Sequence, residues 1–107
     1  MSNPKPENLV LIGYRGAGKS AVGRLLAEQT GWTFVDIDAV IESEAGQSIA
    51  EIFAAGGEPA FRKHERDVIA RVTQQPHQVI AVGGGAILDR RNVDRLRATG
   101  RVIWLTA

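Results

Sequence analysis

Eight residues, Gly13-Tyr14-Arg15-Gly16-Ala17-Gly18-Lys19-Ser20, satisfy the spacing G-x-x-x-x-G-K-[ST] at every fixed position. That pattern does chemistry on phosphate. Glycines let the backbone curl so that several N–H groups point inward at phosphate oxygens, and a helix that follows adds the positive end of its dipole. On this reading Gly16, Ala17, Gly18, Lys19, Ser20 and Ala21 cradle a nucleoside triphosphate. Lys19 reaches the β- and γ-phosphates and the Ser20 hydroxyl ligates Mg²⁺. The competing reading is a glycine-rich strand-to-helix turn with an incidental Lys-Ser. The flanking context disfavours it, because Leu9-Val10-Leu11-Ile12 precedes the motif and a helical pattern follows.

Three further groups of residues have types suited to chemistry. Asp36 and Asp38 stand at the end of a short β-rich run, the edge at which open α/β sheets bind ligands. In an extended segment they would share one side. One acid could hold Mg²⁺ through water and the other accept a hydrogen bond or proton from a substrate hydroxyl, although Asp38 could also cap the next helix. Arg62 and Glu65, spaced i and i+3, share a helix face. They are either a solvated surface pair or the source of a bidentate grip on an anionic substrate. Gly83-Gly84-Gly85 follows an apolar strand where many phosphate-loop proteins carry a metal-binding Asp. Three glycines read better as a loop offering backbone N–H groups to a substrate than as a loose turn. His64 and His77 have no His or Cys partner at ligand spacing and read as surface residues. Arg90, Arg91, Arg95 and Arg97 are interleaved with Asp89 and Asp94, which describes a solvated helix face rather than a nucleic-acid site.

The elements that must position these groups alternate. Val22, Leu25 and Leu26 give a helix from about Gly18 to Thr30, with Gly31 as its C-terminal stop. Trp32 to Asp36 reads as a strand, and Ala39 to Ala45 as a short helix. Ser48 and Glu51 form a capping box that opens a helix ended by Gly56-Gly57. Pro59 suits the first turn of a further helix to about Thr73, with Phe61, Val68, Ile69 and Val72 on its apolar side. Gln74 to His77 is a turn. Val79 to Val82 is a strand without polar alternation, as expected when both faces of a parallel sheet are covered. Asp89 caps a helix that Gly100 ends, and Arg101 to Leu105 is a fourth strand. Alternating strands and helices without hairpin signals predict right-handed crossovers and a parallel α/β sheet.

The totals bound the answer. The chain has 107 residues, 44% apolar and 23% charged, with a net charge of +1. That suits one soluble domain with no global field for nucleic acid. The absence of cysteine excludes disulfides and thiolate chemistry and is compatible with a reducing cytosol. No apolar run is long enough for a membrane span, and the polar start, residues 1–7, reads as a disordered lead-in without a signal peptide. The protein is expected to be cytoplasmic.

Taken together, Gly13 to Ser20, Asp36-Ile37-Asp38, Ser48-Ile49-Ala50-Glu51-Ile52-Phe53, Gly57-Glu58, Phe61-Arg62 with Glu65, and Gly83-Gly84-Gly85-Ala86 resemble the shikimate kinase family. The resemblance runs from about Leu9 to Leu105, and the set in this order is far more specific than any one motif. It implies a P-loop NTPase-type parallel sheet flanked by helices, like that of nucleoside monophosphate kinases. The implied reaction is ATP-dependent phosphorylation of the shikimate 3-hydroxyl, in aromatic amino-acid biosynthesis, with ATP and Mg²⁺ as the cofactors. By the same resemblance Gly16 to Ala21 wrap the ATP phosphates, Lys19 stabilises the transferring phosphoryl group and Ser20 ligates the metal. Asp36 is the acid that holds the metal through water. Asp38 contacts the substrate hydroxyls and serves as base. Arg62 binds the shikimate carboxylate. Gly84, flanked by Gly83 and Gly85, gives a backbone contact, and Glu65 helps hold the pocket. The expected partners are shikimate and ATP, with no nucleic acid or membrane, and the expected state is a monomer.

The family continues past the fourth strand with an arginine-bearing lid, a second carboxylate-binding arginine, a fifth strand and a closing helix. Residues 1–107 therefore read as the N-terminal part of one longer kinase domain, with an exposed fourth-strand edge and weak or absent activity alone. Two alternatives stand beside this reading: a kinase of another small hydroxylated metabolite such as gluconate, and a non-catalytic nucleotide-binding module. The triple glycine and Phe61-Arg62 argue against the first, and only the abrupt C-terminus supports the second.

Overall fold

The computed structural model describes residues 7–13 and 18–105. Its four strands are β1 (Asn8–Gly13), β2 (Thr33–Asp36), β3 (Gln78–Gly83) and β4 (Gly100–Trp104). The helices are α1 (Lys19–Thr30), α2 (Ile37–Ala45), α3 (Ile49–Val72) and α4 (Arg90–Thr99), with a 3₁₀ turn at Gly84–Leu88. The strands form one parallel sheet in the order β2-β3-β1-β4. The predicted α/β class and parallel sheet are those observed.

Strand alternation divides the core in two. Val10, Ile12, Ile80 and Val82 point to one face and pack with Ile37, Ile41, Ile52, Phe61, Val68, Ile69 and Leu96 from α2, α3 and α4. Leu11 and Val79 point to the other face, against Ala27, Val22 and Leu26 of α1. β3 is covered on both sides, so Val79, Ile80, Ala81 and Val82 are all buried. Each buried Val or Ile side chain contributes about 2 kcal/mol of transfer free energy, which explains a strand with no polar alternation. β4 lies at the sheet edge, pairs with β1, and leaves Trp104 53% exposed.

The capping box closes as predicted, with Ser48 Oγ accepting from Glu51 N–H and Glu51 Oε1 from Ser48 N–H. Helix α3 is broken at Gly57, whose φ of 72° and ψ of −171° are not helical. That left-handed φ suits glycine, and Pro59 restarts the helix two residues on. The break is what turns the Arg62–Glu65 half of α3 to its own heading.

Two readings at the strand ends change. Asn8, which the sequence leaves between the polar start and the apolar run Leu9 to Ile12, is the buried first residue of β1. Its amide donates to Gln75 O at 2.8 Å and to Thr99 Oγ1, while its Oδ1 accepts from Gln78 N–H at 2.8 Å. Thr99 in turn donates to Thr73 O, so one side chain ties together the amino-terminal ends of β1 and β3 and the end of α4. Glu7 is held as well, since its carbonyl accepts from His77 N–H. Residues 1–6 of the expected lead-in lie outside the described residues.

Helix α2 begins at Ile37 rather than Ala39, and its cap is Asp36 rather than Asp38. Asp36 Oδ1 accepts from the N–H groups of Asp38 and Ala39 at 3.0 and 3.4 Å. That cap ends β2 and puts Asp38 in the first helical turn, so the two acids do not alternate along one extended segment.

Candidate active site

Everything that could do chemistry collects at the carboxyl edge of the sheet. In register, Gly13 of β1 faces Gly83 of β3, and Asp36 of β2 faces Ala81. The phosphate motif therefore leaves β1 directly beside the triple glycine, with the two acids one strand further along. Gly18 precedes α1 in a left-handed conformation, φ 79°, and Val22 N–H bonds its carbonyl. Lys19, in the first turn of α1, donates from Nζ to Val82 O at 3.2 Å. Its ammonium is thus held over the end of β3. Ser20 and Ala21 are exposed in the same turn, where ligands can reach them. Gly16 and Ala17 lie outside the described residues.

Asp38 lies within the fields of two cations. Burial is the largest influence on its carboxyl and, with Asp36 and Glu42 nearby, raises its pKa above the ordinary aspartate value; Lys19 and Arg62 pull it back more weakly. A carboxylate raised in this way, yet within the field of both cations, suits a proton acceptor for a hydroxyl. It also costs stability. Because the folded pKa lies above the unfolded value, stability from this group is complete below about pH 3.8 and is lost as pH rises through the folded pKa. Asp38→Asn is therefore expected to melt a few degrees higher than the unsubstituted chain at pH 7 to 8. The difference should shrink to nothing as pH falls to 3.8. Melting curves across that range test it, and a variant that melts lower at pH 8 would show that the Asp38 carboxylate is stabilised by its cations.

Arg62 is fixed from several sides. Nη1 donates to Glu65 Oε1 at 2.9 Å, and Nε lies 3.8 Å from Glu58 Oε1. The guanidinium covers the Phe61 ring at 5.2 Å, and Phe61 stacks on Phe53 at 5.0 Å. Glu65 is not a solvated surface residue: it is 2% exposed, and burial raises its pKa against the opposing influence of Arg62. A half-buried arginine paired to a buried acid is a positioned cation, and the pair is not a solvated surface pair.

Within the triple glycine it is Gly85 that makes a close approach, and none of the three has a left-handed φ. Gly83 is ordinary extended backbone, φ −68°, and Gly84 and Gly85 open the 3₁₀ turn. A Cβ on Gly85 would come within 2.5 to 3.0 Å of the Arg62 guanidinium, so only glycine lets that turn press against the arginine.

Among the described residues no group of three His, Cys, Asp or Glu side chains could hold a metal by itself. That donor set still fits Mg²⁺, which keeps much of its water and takes one or two protein oxygens beside substrate phosphates. The Ser20 hydroxyl and Asp36, whose Oδ1 alone is engaged in the cap, are hard oxygen donors of that kind. His64 and His77 are exposed, as read. No described helix is long and apolar enough to cross a membrane.

Phe53 and Asn92 were not singled out from the sequence. Phe53 is a large apolar residue left 37% exposed, stacked on the Phe61 ring that the Arg62 guanidinium covers. Its position after the capping box gave no sign of that. Asn92 lies buried in a helix read as a solvated basic face. Arg90, Arg91, Arg95 and Arg97 are exposed on that face, as expected.

The family model for shikimate kinase matches residues 15–107. The shikimate kinase of Symbiobacterium thermophilum is 55% identical over 94% of this chain and 58% of its own length. Among solved structures, the shikimate kinase from Acinetobacter baumannii in complex with shikimate superposes with a TM-score of 0.92 and 41% identity, covering 95% of this chain and 57% of that one. A gluconokinase from Sinorhizobium meliloti reaches a TM-score of 0.62 at 21% identity over 98% of this chain and 60% of its own, a likeness of fold alone. The chain thus spans somewhat under three fifths of the length of the relatives it matches.

Proposed function

The chain belongs to the shikimate kinase family, and from that premise we propose that it carries the nucleotide- and shikimate-binding core of an ATP-dependent shikimate 3-phosphotransferase. The observation that carries the proposal is the gathering of two cations at one sheet edge: Lys19, whose Nζ donates to Val82 O near the end of β3, and Arg62, whose guanidinium packs against Gly85 just beyond that strand. Asp38 lies in the field of both. A cation suited to phosphate and a cation suited to a carboxylate thus share one edge with an acid able to accept a hydroxyl proton.

In this reading Arg62, braced by Glu65, Glu58 and Phe61, grips the shikimate carboxylate. The backbone of Gly83, Gly84 and Gly85 forms the floor beneath the ring. Asp38 accepts the hydrogen bond of the 3-hydroxyl and takes its proton as the oxygen attacks. Lys19 leaves Val82 O to follow the charge on the transferring phosphoryl group, with Gly16 to Ala21 around the remaining phosphates. Mg²⁺, held by Ser20 and through water by Asp36, neutralises phosphate charge when bound. The protein's contribution is positioning and electrostatics, as phosphoryl transfer requires. The reading includes a monomer acting in the cytosol on small molecules, as a step of aromatic amino-acid biosynthesis.

Calorimetric titration with shikimate in the presence of Mg-ADP tests it, with gluconate as the comparison ligand. Saturable heat with shikimate and none with gluconate is the expected result. Equal binding of both, or binding of gluconate alone, would overturn the substrate assignment.

A further inference from the structure

Asn92 is completely buried, in the first turn of α4, in a position that amphipathic spacing alone would give to an apolar residue. Its Nδ2 donates to Ala86 O at 3.0 Å. The same carbonyl accepts from Asp89 N–H at 3.3 Å, and Asn92 N–H bonds Asp89 O at 3.1 Å. Ala86 is the centre of the 3₁₀ turn that begins with Gly84 and Gly85. The first turn of α4 thus grips the glycine turn by one carbonyl, through a backbone donor and a side-chain donor.

The other half of the Asn92 amide is unsatisfied. Oδ1 is buried without a hydrogen-bond partner among the described residues. An unpartnered buried acceptor is destabilising, so an apolar side chain of the same size would favour the fold. Asn92 also lines a cavity of about 400 Å³ between α3 and α4, together with Arg62, Glu65, Arg66 and Gly85. On the far wall Arg66 reaches Asp89 at 3.6 Å, which ties α3 to the residue that caps α4. A displacement of the turn would therefore be felt at Gly85, the residue packed against the Arg62 guanidinium.

We infer that Asn92 is a positioning residue for the substrate, anchoring the Gly84–Leu88 turn so that the glycine backbone and Arg62 keep their mutual approach. The inference rests on the proposed use of that turn as the substrate floor. Stability is sacrificed at Oδ1 for the sake of the Nδ2 contact.

Asn92→Leu separates this role from a structural one. It removes the orphaned acceptor, keeps the volume, and leaves Ala86 O still paired to Asp89 N–H. The variant is expected to melt no lower than the unsubstituted chain and to bind Mg-ADP unchanged. Its shikimate affinity should fall about tenfold, and the amides of residues 84–88 should exchange faster with deuterium. Asn92→Ala, free of any overpacking, carries the same expectation for exchange and binding. Unchanged exchange in residues 84–88 would overturn the inference, as would faster exchange with undiminished shikimate binding. So would a lower melting point accompanied by equal losses for both ligands, because that is how a merely structural residue behaves. If the unsubstituted chain binds no shikimate, the functional reading fails, and exchange alone then decides whether Asn92 anchors the turn.

Discussion

Arg62→Ala is expected to weaken shikimate binding at least a hundredfold while leaving Mg-ADP binding unchanged. Removing one partner of a charge-assisted, part-buried contact costs about 2 to 5 kcal/mol, and a hundredfold loss is about 2.7 kcal/mol. The substitution does a second thing. Glu65, 2% exposed, loses the guanidinium 2.9 Å away and is left as a buried acid without its cation. Burial already raises its pKa above the ordinary 4.5, and without Arg62 the pKa should rise further. A raised folded pKa means stability that is complete below pH 4.5 and lost as pH climbs through the folded value. The melting point of Arg62→Ala should therefore fall increasingly below that of the unsubstituted chain as pH is raised from 4.5 to 8. Arg62→Lys keeps the charge but not the fork, and should bind shikimate about tenfold more weakly, between the two. Titration calorimetry and pH-resolved melting give both readings. Retention of shikimate affinity in Arg62→Ala would remove this residue from the site whatever happened to stability.

Lys19→Met should lower the rate of phosphoryl transfer to shikimate about a thousandfold. An electrostatic donor aimed at charge that develops in the transition state contributes about 3 to 4 kcal/mol, and 4 kcal/mol is close to a thousandfold. Lys19 has no other large task in the fold. It is partly exposed, and among the described residues its hydrogen bond is the 3.2 Å donation to Val82 O, worth about 1 kcal/mol. Melting temperature should fall by no more than a few degrees at pH 7, through loss of this contact and of the Lys19 field at Asp38, so lost turnover cannot be ascribed to unfolding. The rate is best followed by coupled ADP release, with shikimate affinity measured alongside. A variant that turns over at more than a tenth of the unsubstituted rate would leave Lys19 as a strand-end contact and nothing more.

These two residues were legible from the chain because their signals are local. The phosphate motif is a contiguous run, and Arg62 and Glu65 sit one helical turn apart. Local signals also account for the capping box of Ser48 and Glu51, for the left-handed Gly31 at the end of α1 and for the stop at Gly57. The strand-to-helix alternation is local too, and with the rule that such crossovers build parallel sheets it carried the fold class.

What could not be read depended on distance through space. The order β2-β3-β1-β4 brings Gly83 beside Gly13 across seventy residues of chain, and no periodicity encodes a neighbour so remote. Asp36 and Asp38 looked alike as strand-end acids. The competition between an extended continuation and a side-chain cap, won by Asp36 Oδ1, gave one the helix start and the other a half-buried place in the first helical turn, within the fields of Lys19 and Arg62. Glu65 could have been a surface acid, and only the packing of α3 buried it. Asn8 and Asn92 carry polar side chains that the sequence assigns to water, yet each spends its hydrogen bonds inside, on Gln75, Gln78 and Thr99 in one case and on Ala86 in the other. The sequence by itself determined which groups are available for phosphate and carboxylate chemistry, because motif and helix spacing act over a few residues. Tertiary structure alone decided which of them are desolvated and face one another, because burial and electrostatic coupling belong to the packed chain and not to any segment of it.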